Sequence, residues 1–256
     1  MIRTLLIFLV ALATGGMLTR LMAWAAPRLR LLDLPGGRKA HGRAVPLGGG
    51  LALAASFFLA PVLAGPGWEW GAWQGAEPWG AVGAAGITIL LVGLWDDLRP
   101  LSPWAKLAWQ VGVAVFLVAA GMQGTLFTSL PLVGAALTAL WLVVLMNAFN
   151  FLDNMDGLAA GIALVCSLLF WSMAWLTGQW AVAAMLAALA GACLGFLLFN
   201  FPPARIFMGD AGSQFLGLML GCATILFTFY RLGQSRTSVV LPVLIFAVPL
   251  YDFCSI

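Results

Sequence analysis

Long apolar blocks alternate with short polar segments along the whole chain. The blocks run from about Thr4 to Trp24, Leu47 to Ala64, Gly80 to Trp95, Lys106 to Gly121, Leu130 to Met146, Leu158 to Leu176, Trp180 to Phe199, Ala211 to Tyr230 and Ser238 to Tyr251. Most are long enough to cross the hydrocarbon core as helices. No run alternates with period two for long enough to suggest a barrel strand. The pattern therefore predicts an all-α, polytopic integral membrane helical bundle of about nine transmembrane helices, as one domain over residues 1–256. The tryptophan-rich stretch from Gly65 to Trp79 fits the headgroup level.

Counting spans gives the sidedness. The polar segments 27–46, 96–106, 147–157 and 200–210 are separated from one another by pairs of spans, so they open on one face. That face carries Arg28, Arg30, Arg38, Lys39, Arg43, Arg99, Lys106 and Arg205, against Arg3, Arg231 and Arg236 on the other. By the positive-inside rule the first face is cytoplasmic. Asp33, Asp96, Asp97, Asp153, Asp156, Asp210 and Asp252 fall on it too, with only Glu69 and Glu77 outside. Acids gathered at one water boundary point to a cytoplasmic active site. An ion-coupled transporter would place them near mid-span, reachable from both faces, and would show an inverted repeat.

Composition agrees with this reading. Of 256 residues, 63% are hydrophobic and 8% charged, with a mean hydropathy of +1.04, where a soluble domain carries roughly a quarter charged residues. The net charge of +3 is distributed as membrane-flanking residues, and no nucleic-acid partner is expected. Cys166, Cys193, Cys222 and Cys254 stand singly in apolar runs, without metal-ligand spacing, and read as small reduced core residues. No small-x-small cleavage site precedes Arg20, so the first span is expected to be retained.

Three acidic segments carry candidate chemistry. The first, Asp96-Asp97, closes the third span; adjacent carboxylates repel unless a cation or proton relieves them, and Mg²⁺ is held by a few carboxylates plus substrate phosphates. Lys106 returns to the same mouth as a phosphate-binding point charge or as a topogenic anchor. The second is Asn147-x-x-Asn150-x-x-Asp153-x-x-Asp156-Gly157, whose spacing of three puts each pair on one helical face. Its plainer reading is a polar cap between two membrane helices. The third runs from Asn200 through Arg205 and Phe207 to Asp210 and Ser213, with prolines holding an extended loop. Phe207 is placed to stack on a planar base or to pack at the mouth. The cluster Arg38, Lys39, His41 and Arg43 either holds an anionic head or is a topogenic loop. Gly48-Gly49-Gly50 lacks the following Lys-Ser/Thr of a P-loop and reads as a site of close helix packing.

Taken together, Asp33-x-Pro35-x-x-Arg38-Lys39-x-His41 with Pro46-x-Gly48-Gly49, Asp96-Asp97, the Asn147–Gly157 segment and Phe207-Met208-Gly209-Asp210-x-Gly212-Ser213 resemble, in order, the polyprenyl-phosphate N-acetylhexosaminyl-1-phosphate transferase family. The Arg38-Lys39-x-His41 form is closer to the WecA/TagO branch, which uses UDP-N-acetylglucosamine, than to the MraY branch, which transfers phospho-N-acetylmuramoyl-pentapeptide. The resemblance implies an MraY-like fold in a bacterial inner membrane, with the active site facing the cytoplasm. It implies transfer of N-acetylglucosamine-1-phosphate from a UDP-sugar to undecaprenyl phosphate, releasing UMP, with Mg²⁺ or alternatively Mn²⁺. Asp210 and Asn150 would contact the metal. Asp96, Asp97, Asp153, Asp156 and Lys106 would be catalytic; Asn154, Asp156, Asn200 and Phe207 would line the nucleotide pocket. Arg38, Lys39, His41 and Arg43 would hold lipid phosphate. Membrane lipids are expected partners, with a homodimer as one assembly. The alternatives are phospho-N-acetylmuramoyl-pentapeptide transfer, an ion-coupled transporter and an inactive lipid-binding member.

One departure stands out. The family continues past the segment that Pro249-Leu250-Tyr251-Asp252 resembles with a His-rich loop and further span or spans, and this sequence stops at Ile256. The expectation is a truncated reading frame, with a degenerate family member as the alternative.

Overall fold

A computed structural model describes residues 2–33, 44–65, 78–122, 130–228 and 237–255. Its elements are α1 (Ile2–Ala25), β1 (Leu32–Asp33), β2 (Val45–Pro46), α2 (Gly49–Leu63), α3 (Trp79–Leu98), α4 (Pro103–Ala119), α5 (Pro131–Leu152), α6 (Leu158–Leu176), α7 (Trp180–Asn200), α8 (Gly209–Thr228), α9 (Thr237–Ile245) and α10 (Ala247–Ser255). The chain is a polytopic helical membrane bundle. Six helices, α1, α3, α5, α6, α7 and α8, are long and apolar enough to cross a membrane, while α2 and α4 are shorter apolar helices.

The count of nine spans does not carry over directly. The stretch expected as the ninth, Ser238–Tyr251, is divided into α9 and α10 of 9 residues each, and nine residues rise only about 14 Å. Pro242 lies inside α9 and Pro249 inside α10. Phe253 of α10 stacks on Phe151 of α5 at 5.8 Å between centroids. That contact brings Asp252 to the same end of the bundle as the end of α5. Cys254 is exposed there, contrary to its expected place in the core; Cys166, Cys193 and Cys222 are buried.

The bundle is organised around α8. In its most apolar window 94% of residues are buried, against 22% in α1. The helices α2, α3, α5, α6 and α7 surround α8, and α1 packs outside α7 and α2. Because α8 faces protein on all sides, it tolerates the lowest hydropathy of the six, 1.3, and its polar residues have neighbours to bond instead of lipid.

Two local devices set the site end. Ser102 Oγ accepts a hydrogen bond from Ala105 N at 3.2 Å, and Pro103 opens α4, a pairing suited to a helix start. The helices α2, α4, α6 and α8 all begin at the end where α1, α3, α5 and α7 finish. Their N-terminal partial positive charges therefore gather at one mouth. The two-residue strands β1 and β2 pair antiparallel at that end, Leu32 with Pro46 and Asp33 with Val45.

The fifth helix is longer than its hydropathy suggests. It runs on past Met146 to Leu152, so Asn147 and Asn150 occupy its last turns and Asp153 caps it. The helical pairing expected for Asp153 and Asp156 is not formed. Both lie in the turn between α5 and α6, which Gly157 ends at φ 73°, a left-handed conformation that glycine adopts without strain.

Candidate functional site

The centre of the mouth is Asp210, in the first turn of α8. Lys106 Nζ from α4 donates to Asp210 Oδ2, and also to Asp96 Oδ2 of α3 at 2.6 Å. Asn150 of α5 reaches the same carboxylate from the other side. Its Nδ2 donates to Asp210 Oδ1 at 3.0 Å and to Ser213 Oγ at 3.0 Å. Four helices thus meet on one carboxylate through polar side chains far apart in sequence. The second oxygen of Asp96 accepts from Leu101 N at 2.6 Å, which shapes the turn between α3 and α4 and sets Lys106 beside it.

Asp97 has a different task from its neighbour. Its Oδ1 accepts from Asp210 N at 2.8 Å and its Oδ2 from Ala211 N at 3.2 Å. A carboxylate from α3 therefore caps the start of α8, satisfying N–H groups that a helix leaves without partners and meeting the positive end of its dipole. In this arrangement both oxygens of Asp97 hold backbone, so the residue positions Asp210. Replacing Asp97 with Ala is expected to lower stability by about 1–2 kcal/mol, the usual worth of a helix cap. Thermal unfolding in detergent measures this; an unchanged midpoint would remove the capping role.

Asn200, Asp156 and Phe207 shape the rim. Asn200 is 3% exposed; its Oδ1 accepts from Gly157 N at 2.9 Å and its Nδ2 donates to Ile206 O at 2.9 Å. Asp156 Oδ2 accepts from Ala204 N at 2.8 Å. The turn after α5 and the loop after α7 are therefore fastened together by side chains from each. Phe207 is half-buried, with its N donating to Pro46 O at 2.8 Å and its O accepting from Gly49 N at 3.0 Å. Replacing Asn200 with Ala would orphan both backbone groups, and a loss of roughly 1–3 kcal/mol is expected, read as a lower unfolding temperature with the Asp210 contacts retained.

The glycine run behaves as a packing device. A Cβ at Gly50 would overlap the backbone N and Cα of Gly212, closer than any side chain tolerates. Gly49 N and Gly50 N bond to the carbonyls of Phe207 and Met208 at 3.0 Å each, joining the start of α2 to the start of α8.

Of the residues singled out from sequence, Asp96, Asp97, Lys106, Asn150 and Asp210 meet directly. Asp153 is partly buried beside them. Packing around its carboxyl strips it of water, and Asp210 and Asp97 then add like charge; together these hold its pKa well above the ordinary carboxylate range. Asp156 and Asn200 sit in the rim, and Asn154 is exposed next to them. Arg38, Lys39, His41 and Arg43 lie outside the described residues. Sequence reasoning assigned no role to Gln110, Ser213 or Gln214. The available signal was spacing: Gln110 stands four after Lys106, and Gln214 four after Asp210.

Among the described residues no three His, Cys, Asp or Glu side chains already close on a common point. The donors nevertheless suit a hard cation. Asp96, Asp97, Asp153 and Asp210 crowd one mouth, where the only ammonium among the described residues is Lys106. One or two carboxylates with a neighbouring carboxamide oxygen and substrate phosphates make the usual Mg²⁺ set.

Comparison with known proteins bears on this mouth. The family model described as Glycosyl transferase family 4 matches residues 79–228, the stretch that holds Asp96, Asp97, Lys106, Asn150 and Asp210. A probable undecaprenyl-phosphate N-acetylglucosaminyl 1-phosphate transferase of Bacillus subtilis is 32% identical over 98% of this chain and 70% of its own. An undecaprenyl-phosphate alpha-N-acetylglucosaminyl 1-phosphate transferase of Thermotoga maritima is 33% identical over 85% of this chain and 64% of its own. A phospho-N-acetylmuramoyl-pentapeptide-transferase of Moorella thermoacetica is 40% identical, over 60% of this chain and 52% of its own. The chain thus spans between about half and 70% of the length of these relatives.

Proposed function

This chain belongs to glycosyl transferase family 4, and from that premise we propose that it transfers N-acetylglucosamine-1-phosphate from a UDP-sugar to undecaprenyl phosphate. A phosphate oxygen of the lipid would form the new bond to the sugar-bearing phosphorus, and the bond from that phosphorus to the bridging oxygen would break, releasing UMP. The proposed setting is a bacterial inner membrane with the mouth toward the cytoplasm, where the lipid head and the soluble nucleotide meet.

The observation that carries this reading is the seat of Lys106, bound to both Asp96 and Asp210, with Asn150 on the far oxygen of Asp210. Both reactants are anionic, so the site must oppose their repulsion and hold the attacking oxygen in line. Lys106 supplies a positive charge, held between two carboxylates, at the point where the phosphates would meet. The starts of α4 and α6 add positive potential at the same mouth; the first N–H groups of α8 are already taken by Asp97. Asp210 and Asn150, with Asp153 next to them, would hold Mg²⁺, which when bound would screen the charge between the two phosphates. Asp156, Asn200 and Phe207 would form the rim against the nucleotide, with Asn154 exposed beside it. Arg38, Lys39, His41 and Arg43 are proposed for the lipid head.

The N-acetylglucosamine donor is favoured because the two relatives that share most of this chain's length carry that name. Release of UMP by membranes containing the protein, with UDP-N-acetylglucosamine, undecaprenyl phosphate and Mg²⁺, tests the reading. Competition from UDP-N-acetylmuramoyl-pentapeptide would redirect it to the other branch. No Mg²⁺-dependent UMP from either donor would end it.

A further inference from the structure

Directly beneath the mouth lies a second polar layer, inside the bundle. Asn147 Nδ2 donates to Gln110 Oε1 at 2.7 Å, and Gln110 Nε2 donates to Gln214 Oε1 at 3.0 Å. Gln110 is 2% exposed and Gln214 1%. The three amides come from α4, α5 and α8, the helices that supply Lys106, Asn150 and Asp210.

Their register matches the helix directions. Both α4 and α8 run inward from the mouth, so Gln110 and Gln214 lie one turn, about 6 Å, below Lys106 and Asp210. In the reverse direction, α5 runs toward the mouth, and Asn147 lies three residues, about 4.5 Å, below Asn150. Each helix therefore presents one site residue and one deeper amide on a single face. Carboxamides at this depth are costly unless joined to one another. Three amides of fixed reach, bonded in series, allow little sliding or rotation of the helices that carry them.

We propose that Gln110, bridging Asn147 and Gln214, is a positioning residue that holds α4, α5 and α8 in register, so that Lys106 and Asn150 stay seated on Asp210. The amide layer lies one helical turn below the charged residues and acts through them. Gln214 Nε2 has no partner among the described residues. Gln110 is therefore the one residue of the three whose amide bonds both others. Loss of its side chain frees α4 from both α5 and α8 at this level. Loss of the Asn147 contact is softer, because Asn147 Nδ2 also donates to Val143 O at 2.9 Å.

The kinetic part of this inference rests on the transferase reading; its structural part does not. The test therefore begins with competitive acylation of lysine in the full chain in detergent, without substrate. The sequence holds two lysines, Lys39 and Lys106, and Lys39 serves as the internal reference. With two carboxylates on its ammonium, Lys106 is expected to label slowly. In Gln110→Leu and in Gln110→Asn, whose amide is too short to span, Lys106 is expected to label about five-fold faster relative to Lys39 as the seat loosens.

The double variant Gln110→Leu with Gln214→Leu separates positioning from stability. It removes the orphaned amide and is expected to regain the unfolding temperature lost in the single variant, since paired apolar replacement spares the desolvation penalty. Fast Lys106 labelling should persist in it. With substrate, kcat should stay about 10- to 100-fold down with KM within about three-fold, the pattern of a lost transition-state geometry. Labelling that returns to the wild-type rate together with stability, or that never changes in any variant, overturns the proposal. Should wild-type protein release no UMP, the transferase reading fails while the labelling result still decides the positioning role.

Discussion

Exchanging Asp210 for Asn is expected to lower UMP release by about 10³-fold, with the protein still inserted and folded. The two side chains are nearly the same size, so the close fit of α8 against α3 and α2 is retained. What changes is the pattern of charge and donors. Asp210 accepts from Lys106 on one oxygen and from Asn150 on the other. A carboxamide accepts on one side only, so in the Asp210→Asn variant one of these contacts becomes donor against donor. The ammonium of Lys106 then remains on Asp96 alone, and the mouth loses the carboxylate on which Asn150 and Lys106 converge. The measurement is UMP release at saturating donor, beside a melting curve for the same preparation. Turnover above a tenth of wild type with the fold intact would remove Asp210 from the centre of the site.

The second large effect is on assembly. A methyl group at Gly93 would fall 2.5 Å from Ala211 Cα, 2.6 Å from Ala211 N and 2.7 Å from the carbonyl carbon of Asp210. These are backbone atoms at the start of α8, where no flexible side chain is available to turn aside. Gly93→Ala must therefore push α3 away from α8. Overpacking of this kind costs typically about 1–3 kcal/mol and more when only backbone can yield. Asp97 stands one turn along α3 from Gly93, and its bonds to Asp210 N and Ala211 N would lengthen with the displacement. The expected result is a lower unfolding temperature in detergent together with a loss of turnover beyond the loss of folded protein. Gly83→Ala is the control on the same helix, because a methyl there meets nothing within 4 Å. Equal stability of the two variants would refute the close approach as the reason for glycine at position 93.

Gly93 also shows why part of the site escaped a linear reading. In sequence it is one small residue in an apolar run, with nothing to distinguish it from Gly83. The distinction is the neighbour, and the neighbour is far along the chain. Gln110 and Gln214 are inconspicuous in the sequence for the same reason. A single amide within an apolar helix has no visible partner until three helices are placed side by side. Asp97 gives the converse case. Beside Asp96 it looks like half of an acidic pair, and the fold turns it toward the backbone of α8 while Asp96 takes Lys106.

Hydropathy and charge placement, read from the chain alone, determined the membrane class, the helical fold and the common face of the polar segments, while the family was marked by resemblance of its ordered motifs. Those features rest on local chemistry: a run of apolar side chains requires lipid or core wherever it lies, and parity follows from counting runs. The extent of α5 past Met146, the division of the last span, the capping of α8 by Asp97, the union of Lys106, Asn150 and Asp210, and the amide layer beneath them were decided by tertiary structure. Each of these depends on which distant group answers a buried donor or acceptor, and a polar group removed from water has its role set by the partner the fold brings to it.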